Sequence, residues 1–271
     1  MQPHRRAAAR LLVALLLLPW ASGRAADDTF PTVAAAYAVE ADGALLWASN
    51  AAKSLPPASL TKIMTALLVI ERNQPDAVVR VSAAAARETG ARIGLRAGDT
   101  MKVRDLLTAA LLRSANDACR ALADWYAGDE RRFAEAMNAR ARELELTSTR
   151  FVNACGHDAP GHLASALDLL ALARAALRLP EFGRLVALPS AHIATTDGKR
   201  RFDLRTTNAL IGRLDGAAGV KSGYTGKAGK CILALARRGP HEVLLVLLDA
   251  PDRWWDAHGL AEAAFAHLVA R

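Results

Sequence analysis

The strand-like runs of this chain sit at its two ends, and helical periodicity fills the space between them. Near the start, TVAAAYAVEADGALLWASNA holds two β-like runs about Asp42-Gly43, a dipeptide that favours a tight hairpin. Near the end, GAAGVKSGYT, KCILALARR and HEVLLVLLDA follow one another across short Gly-containing turns, and RWWDAHGLAEAAFAHLVA closes the chain as a helix. The middle, from about Ser82 to Leu179, reads as helices over MKVRDLLTAALLR, NDACRALADWYAG, DERRFAEAMNARARELEL and ASALDLLALARAALRL. This order predicts an α/β (α+β) fold with one antiparallel sheet built from both chain ends, flanked by helices, and an inserted helical subdomain. The sheet part is expected over about 30–80 and 190–271, the helical part over about 81–189.

The first residues do not belong to that plan. MQPHRRAAAR is basic and free of acids, LLVALLLLPWA is apolar, and ASGRAADD is rich in small residues. This is the layout of a signal peptide over 1–25, with an apolar run too short for a span of ~20 residues. Cleavage after Gly23, with Ala21 at −3, or after Ala25, with Gly23 at −3, satisfies the small-residue rule equally. Loss of Arg5, Arg6 and Arg10 lowers the net charge from +8 to +5, and loss of Arg24 lowers it to +4. The mature domain, 26–271, is then modestly basic and shows no basic stripe interleaved with aromatics, which argues against nucleic acid. An exported protein with no stable membrane anchor after cleavage is expected, periplasmic in the cell envelope. Three cysteines are too few for a disulfide scaffold. Cys119 and Cys231 lie in apolar patterns, so free buried thiols are expected, with one bridge left open among Cys119, Cys155 and Cys231.

Within this chain of 28 Arg and 7 Lys, the run PASLTKIMTALL places a lysine inside an apolar helical stretch. Ser59 and Lys62 are three apart, so on a helix they share a face, with Cβ atoms roughly 5–6 Å apart. Leu60, Ile63, Met64, Leu67 and Leu68 cover the other sides, the pattern of a buried helix. Burial favours the neutral form of a lysine amine, and such an amine beside a hydroxyl is a general base for a serine nucleophile. Arginine, always protonated, could not serve. The plainer reading makes Ser59 a helix cap and Lys62 a snorkelling surface cation.

Two further segments carry polar groups among apolar ones. RSANDACRALADW sets Ser114 and Asn116 at the junction of two helices, where capping alone would explain them. VKSGYTGKAGKC sets Lys221, Ser222, Gly223 and Tyr224 on a strand. A phosphate loop is excluded there: Lys221 stands where the first glycine is needed, and Ala228 where Ser or Thr is needed. His157 and His162 in GHDAPGH lack the spacing of a helical zinc site, so no metal is expected.

Taken together, Ser-x-x-Lys, Ser-x-Asn and Lys-Ser-Gly in that order resemble the motif set of penicillin-recognising serine enzymes. With the flanking segments PPASLTKIMTALL, RSANDACRALA, GHDAPGHLASALDLLALA and GVKSGYTGKAGKCILALARR, the chain resembles the low-molecular-mass D-alanyl-D-alanine carboxypeptidases, serine peptidase family S11. The resemblance implies a β-lactamase/DD-peptidase-like fold and an acyl-enzyme on Ser59. It further implies Lys62 as base, Ser114 as proton relay close to both lysines, and Asn116 orienting the substrate. Lys221 and Ser222 would hold a terminal carboxylate beside Gly223, and the Ser59 and Tyr224 amides would form the oxyanion hole. The implied substrates are peptidoglycan stem peptides, with β-lactams as inhibitors and no cofactor; it names no protein partner. Ser222 departs from the usual Thr but keeps the hydroxyl. The chain stops after AAFAHLVAR, like the shorter, unanchored members of that family. Endopeptidase action on cross-links is the first alternative. A serine β-lactamase is disfavoured because no Glu is followed four residues later by Asn. A non-catalytic β-lactam or muropeptide sensor is the alternative from another class.

Overall fold

The computed structural model describes residue 30 and residues 32–270; the expected leader, 1–25, lies outside them. The hairpin signal at Asp42-Gly43 joins β1 (Ala36–Ala41) to β2 (Ala44–Ser49), with Asp42 and Gly43 both at positive φ. Five strands form one antiparallel sheet in the order β2-β1-β9-β8-β7, where β7 is Ala217–Thr225, β8 Gly229–Arg238 and β9 His241–Leu248. The strand nearest the start of the chain thus pairs with one from its end, Tyr37 opposite Leu247 and Val39 opposite Leu245. The fold is α/β, an antiparallel sheet flanked by helices.

Successive side chains on a strand leave opposite faces. Tyr37, Val39, Ile232, Ala234, Leu245 and Leu247 pack on one side against helix α8 (Arg253–Val269) through Leu260, Ala261, Ala264 and Phe265. Ala36, Ala38, Leu233, Leu235, Leu244 and Val246 face the larger core on the other side. Both faces are covered, which is why the central strands read as continuous apolar runs rather than alternating ones. At the far edge, β7 has a hydrogen-bonded strand neighbour on one side only.

The larger core is centred on α1 (Lys62–Glu71), buried from Lys62 to Val69. Around it lie α3 (Val103–Leu112), α4 (Asn116–Ala127), α5 (Glu130–Glu143), α6 (Ala166–Leu177) and α7 (Pro180–Val186), with a short α2 at Ala83–Ala86. Two small ribbons lie outside the five-stranded sheet, and the first departs from the helical reading of the middle. β3 (Val78–Arg80) pairs with β4 (Thr100–Lys102), so the helix expected from Met101 begins only at Val103. Met101 is fully buried opposite Val79, and this tertiary pairing overrides local helical preference. The second ribbon, β5 (Ser190–Ala194) with β6 (Arg201–Arg205), turns near Asp197-Gly198, the same kind of signal that Asp42-Gly43 gives.

Candidate active site

Ser59 does not open an α-helix; it lies in a 3₁₀ turn, Ala58–Thr61, that leads into α1 at Lys62. Two glycines press on that turn. Gly156, at φ +90°, sits where an added Cβ would meet the Ala58 carbonyl oxygen at 1.9 Å. A Cβ on Gly223 of β7 would fall 2.7 Å from the Ser59 nitrogen. Only a residue without a side chain lets either backbone come so close. The sheet edge is therefore laid against the amide of Ser59.

Lys62 is fully buried, and its Nζ has three partners: Ser59 Oγ at 3.0 Å, Asn116 Oδ1 at 2.7 Å and the Cys155 carbonyl at 2.6 Å. An ammonium donates to all three. A neutral amine has two N–H donors and one lone pair. The two carbonyl oxygens can only accept, so the amine donates to them and offers its lone pair to Ser59, the one partner with a proton to give. The snorkelling alternative is excluded, since this amine does not reach water.

Asn116, the first residue of α4, also donates from Nδ2 to the Thr89 carbonyl at 2.6 Å, which fixes its amide orientation. Ser114 stands between α3 and α4 at φ +57°, and no side chain caps α4. Its Oγ accepts from Lys221 Nζ at 3.0 Å, and the same amine donates to the Ser222 carbonyl at 2.7 Å. Ser114 is thus bonded to Lys221 rather than to Lys62. Lys221 is 1% exposed, and its pKa is driven well down by burial, then by the nearby charges of Lys62 and Arg253. Ser222 is buried, while the Tyr224 side chain is exposed at the rim.

A cavity of about 280 Å³ joins these pieces, with Ser59, Ser114, Asn116, Ser222, Gly223 and Tyr224 in its wall. A wider cleft bordered by Lys102, Arg104 and His192 holds no such Ser–Lys pair, so size does not select the site. Sequence reasoning missed Arg253, which lines the cavity, donates from Nη1 to the Gly223 carbonyl and stacks on Trp254. Its Nε is buried without a partner, and burial lowers its pKa. Among 28 arginines it carried no local signal.

The two histidines of GHDAPGH are engaged separately. His157, in the cavity wall, meets Glu88 through Nε2 at 2.8 Å. His162 is buried and holds Thr61. Among the described residues, no group of three or more His, Cys, Asp or Glu is placed to hold a metal ion. Cys119, Cys155 and Cys231 are free and buried, as the apolar patterns around Cys119 and Cys231 suggest for those two.

Residues 25–252 match the family described as D-alanyl-D-alanine carboxypeptidase, peptidase S11. The chain belongs to that family. It is 33% identical over 259 residues to D-alanyl-D-alanine carboxypeptidase DacF of Bacillus subtilis, covering 91% of this chain and 66% of the relative. With D-alanyl-D-alanine carboxypeptidase DacD of Escherichia coli it shares 36% identity over 221 residues, 77% of this chain and 55% of the relative. The chain thus spans only about half to two thirds of these relatives. Its fold is similar to the solved Streptomyces K15 DD-transpeptidase, with a TM-score of 0.81, 28% identity, and coverage of 87% of this chain and 98% of the other. The family assignment rests on sequence, and the shared fold accounts for how its three motifs meet.

Proposed function

We propose that this chain is a serine D-alanyl-D-alanine carboxypeptidase acting on peptidoglycan stem pentapeptides. The observation that carries the reading is the buried Lys62 amine 3.0 Å from Ser59 Oγ. Ser59 Oγ attacks the carbonyl carbon of the penultimate D-alanine while Lys62 takes its proton. The amides of Ser59 and Tyr224 receive the oxyanion, a reading supported by the close approach of Gly223 to the Ser59 nitrogen, and each donor contributes about 3–4 kcal/mol. Ser114 hands a proton to the departing D-alanine from the Lys221 side. Asn116 orients the peptide, and Lys221, Ser222 and Arg253 attract the terminal carboxylate. Water then frees the enzyme. A β-lactam offers the same carbonyl and carboxylate and traps Ser59 as an ester.

The same reading places the protein in the cell envelope, exported to the periplasm by the 1–25 leader, with 26–271 as the DD-peptidase domain. Its sheet part is proposed over about 30–80 and 190–271 and its helical part over about 81–189. No helix among the described residues is long and apolar enough to cross a membrane.

The test incubates the mature protein with a fluorescent penicillin and, separately, with a stem pentapeptide, beside Ser59→Ala and Lys62→Arg. Covalent label and free D-alanine from the parent alone are expected. Label surviving in Ser59→Ala removes the nucleophile. Rapid release of hydrolysed penicillin identifies a β-lactamase. Label without D-alanine turns the reading to a sensor, or to an endopeptidase if a cross-linked dimer is cut.

A further inference from the structure

Hydrolysis of an acyl-enzyme needs a group that takes a proton from water, and the steps above leave that group unassigned. The cavity wall narrows the choice. No carboxylate lines it; its titratable side chains are Arg113, Arg253, Tyr224, Cys155 and His157. Guanidinium groups and phenols hold their protons at neutral pH. Burial pushes the Cys155 thiol well above its ordinary range, so it too stays protonated. Neither Lys62 nor Lys221 lines the cavity; both amines are enclosed by their partners. The imidazole of His157 remains.

His157 is also held as a base must be. Nε2 lies 2.8 Å from Glu88 Oε2, and the other oxygen of Glu88 accepts from Arg120 Nη1 at 3.4 Å. The His157 backbone is clamped at both ends by Asn153, N–H to Oδ1 at 3.0 Å and carbonyl from Nδ2 at 2.9 Å. Among the described residues, Nδ1 has no hydrogen-bond partner. The preceding residue, Gly156, packs on the Ala58–Ser59 backbone, so the ring is one residue from the nucleophile's own contact. The next, Asp158, is tied to β7 by Thr225 Oγ1 at 2.6 Å. An imidazole with one nitrogen anchored by a carboxylate, in the wall of the cavity that also holds Ser59, has the layout of a base and its orienter.

We propose that His157 is the general base of deacylation, with Glu88 as its positioning residue. This rests on the acyl-enzyme reading above. The water oxygen bonds to the acyl carbonyl carbon as its proton passes to His157 Nδ1. The tetrahedral centre then collapses, the bond from carbon to Ser59 Oγ breaks, and Oγ recovers a proton from Lys62. The freed carboxylic acid loses its proton to solvent, as does His157, the Ser114–Lys221 pair takes back from solvent the proton it gave the leaving amine, and no external reagent is consumed.

The experiment separates the two half-reactions with a fluorescent penicillin, measuring the second-order rate of labelling and the half-life of the label. In His157→Gln, labelling stays within about threefold of the parent while the half-life grows on the order of 100-fold. Glu88→Gln lengthens it less, on the order of tenfold. In His157→Gly, added imidazole shortens the half-life again, a rescue that a merely structural role would not give. Unchanged half-lives in both His157 variants overturn the proposal, as does an equal loss in both half-reactions. Should His157→Gln fail to fold, Glu88→Gln and the His157→Gly rescue decide on the same terms. A parent that takes no label at all fails the reading of Ser59 instead.

Discussion

His162 holds Thr61 by a hydrogen bond of 2.8 Å from ring Nε2 to Oγ1, and its direction is fixed from behind. The Val152 amide donates to Nδ1 at 2.9 Å, so Nδ1 carries no proton and Nε2 carries one. Thr61 Oγ1 receives that proton's bond and donates its own to the Ala58 carbonyl at 2.8 Å, closing the turn that presents Ser59. The neutral ring is the only form that fits, and burial lowers the pKa of His162 from 6.5 to about 4.

Stability therefore depends on pH through this ring. As pH falls below the unfolded value of 6.5, the unfolded chain binds the proton first, and folding loses ground until pH reaches about 4. The contribution is fully present above 6.5 and gone below about 4. A shift of this size corresponds to roughly 3 kcal/mol. Denaturant midpoints measured from pH 7.5 to 4 should fall less steeply in His162→Gln than in the parent. Parallel slopes would show that other groups carry the acid sensitivity.

The same turn was only partly legible in the sequence. Ser59 and Lys62 were paired because a spacing of three brings side chains together in a 3₁₀ turn as it does in an α-helix. That is local geometry, and it survives an error in helix type. The other partners of Lys62 could not be read in this way: Asn116 is 54 residues away and the Cys155 carbonyl 93. They meet Lys62 only through the packing of α1 against α4 and the loop before α6. Arg253, His157 and Glu88 are ordinary surface-type residues until folding sets them round one cavity. The β5–β6 ribbon is different: it falls within the 190–271 stretch expected to hold strands, and Asp197-Gly198 marks its turn.

Two glycines and a control separate close approach from backbone strain. Gly156→Ala suffers both, a positive φ and a Cβ 1.9 Å from a carbonyl oxygen, and should lose penicillin labelling and several degrees of Tm. At Gly223 the φ is unrestricted, but the Cβ meets Ser59 N at 2.7 Å and Ala58 Cβ at 2.9 Å. Gly223→Ala should also lose several degrees of Tm, because the contact is with backbone, and should lose labelling about 100-fold as β7 is pushed off the proposed oxyanion donor at Ser59. Gly43→Ala has positive φ and open space, so it should cost about 1 kcal/mol and leave labelling untouched. Equal labelling in all three would mean that β7 does not set the position of Ser59.

Lys221 sets activity against stability. A buried amine that shares its hydrogen bonds with one hydroxyl and one carbonyl, and whose protonation is opposed by burial and by the neighbouring Lys62 and Arg253, is costly to fold. Lys221→Met keeps the volume of the chain and removes the charge, so its Tm should rise by a few degrees. The same change removes the buried amine behind Ser114 and Ser222 that is proposed to attract the substrate carboxylate, and labelling by penicillin should slow on the order of 100-fold or more. A lower Tm would mean that the Ser114 and Ser222 bonds outweigh the desolvation.

The three thiols give a last test, which concerns the compartment as much as the fold. Cys231 is buried, and its pKa is pushed up to about 11. Cys155 is also raised, by burial and then by the thiol of Cys119, which itself donates to the Ala154 carbonyl at 3.2 Å. Only the thiolate attacks an alkylating reagent, so at pH 8 a thiol of pKa about 11 reacts roughly 200-fold more slowly than a free one. Iodoacetamide should leave the folded protein unmodified and its penicillin labelling intact, and should modify all three cysteines once the chain is unfolded. Reductant should not move Tm, because no disulfide joins these residues. A Tm that drops with reductant, or only one thiol alkylated after unfolding, would reveal a bridge.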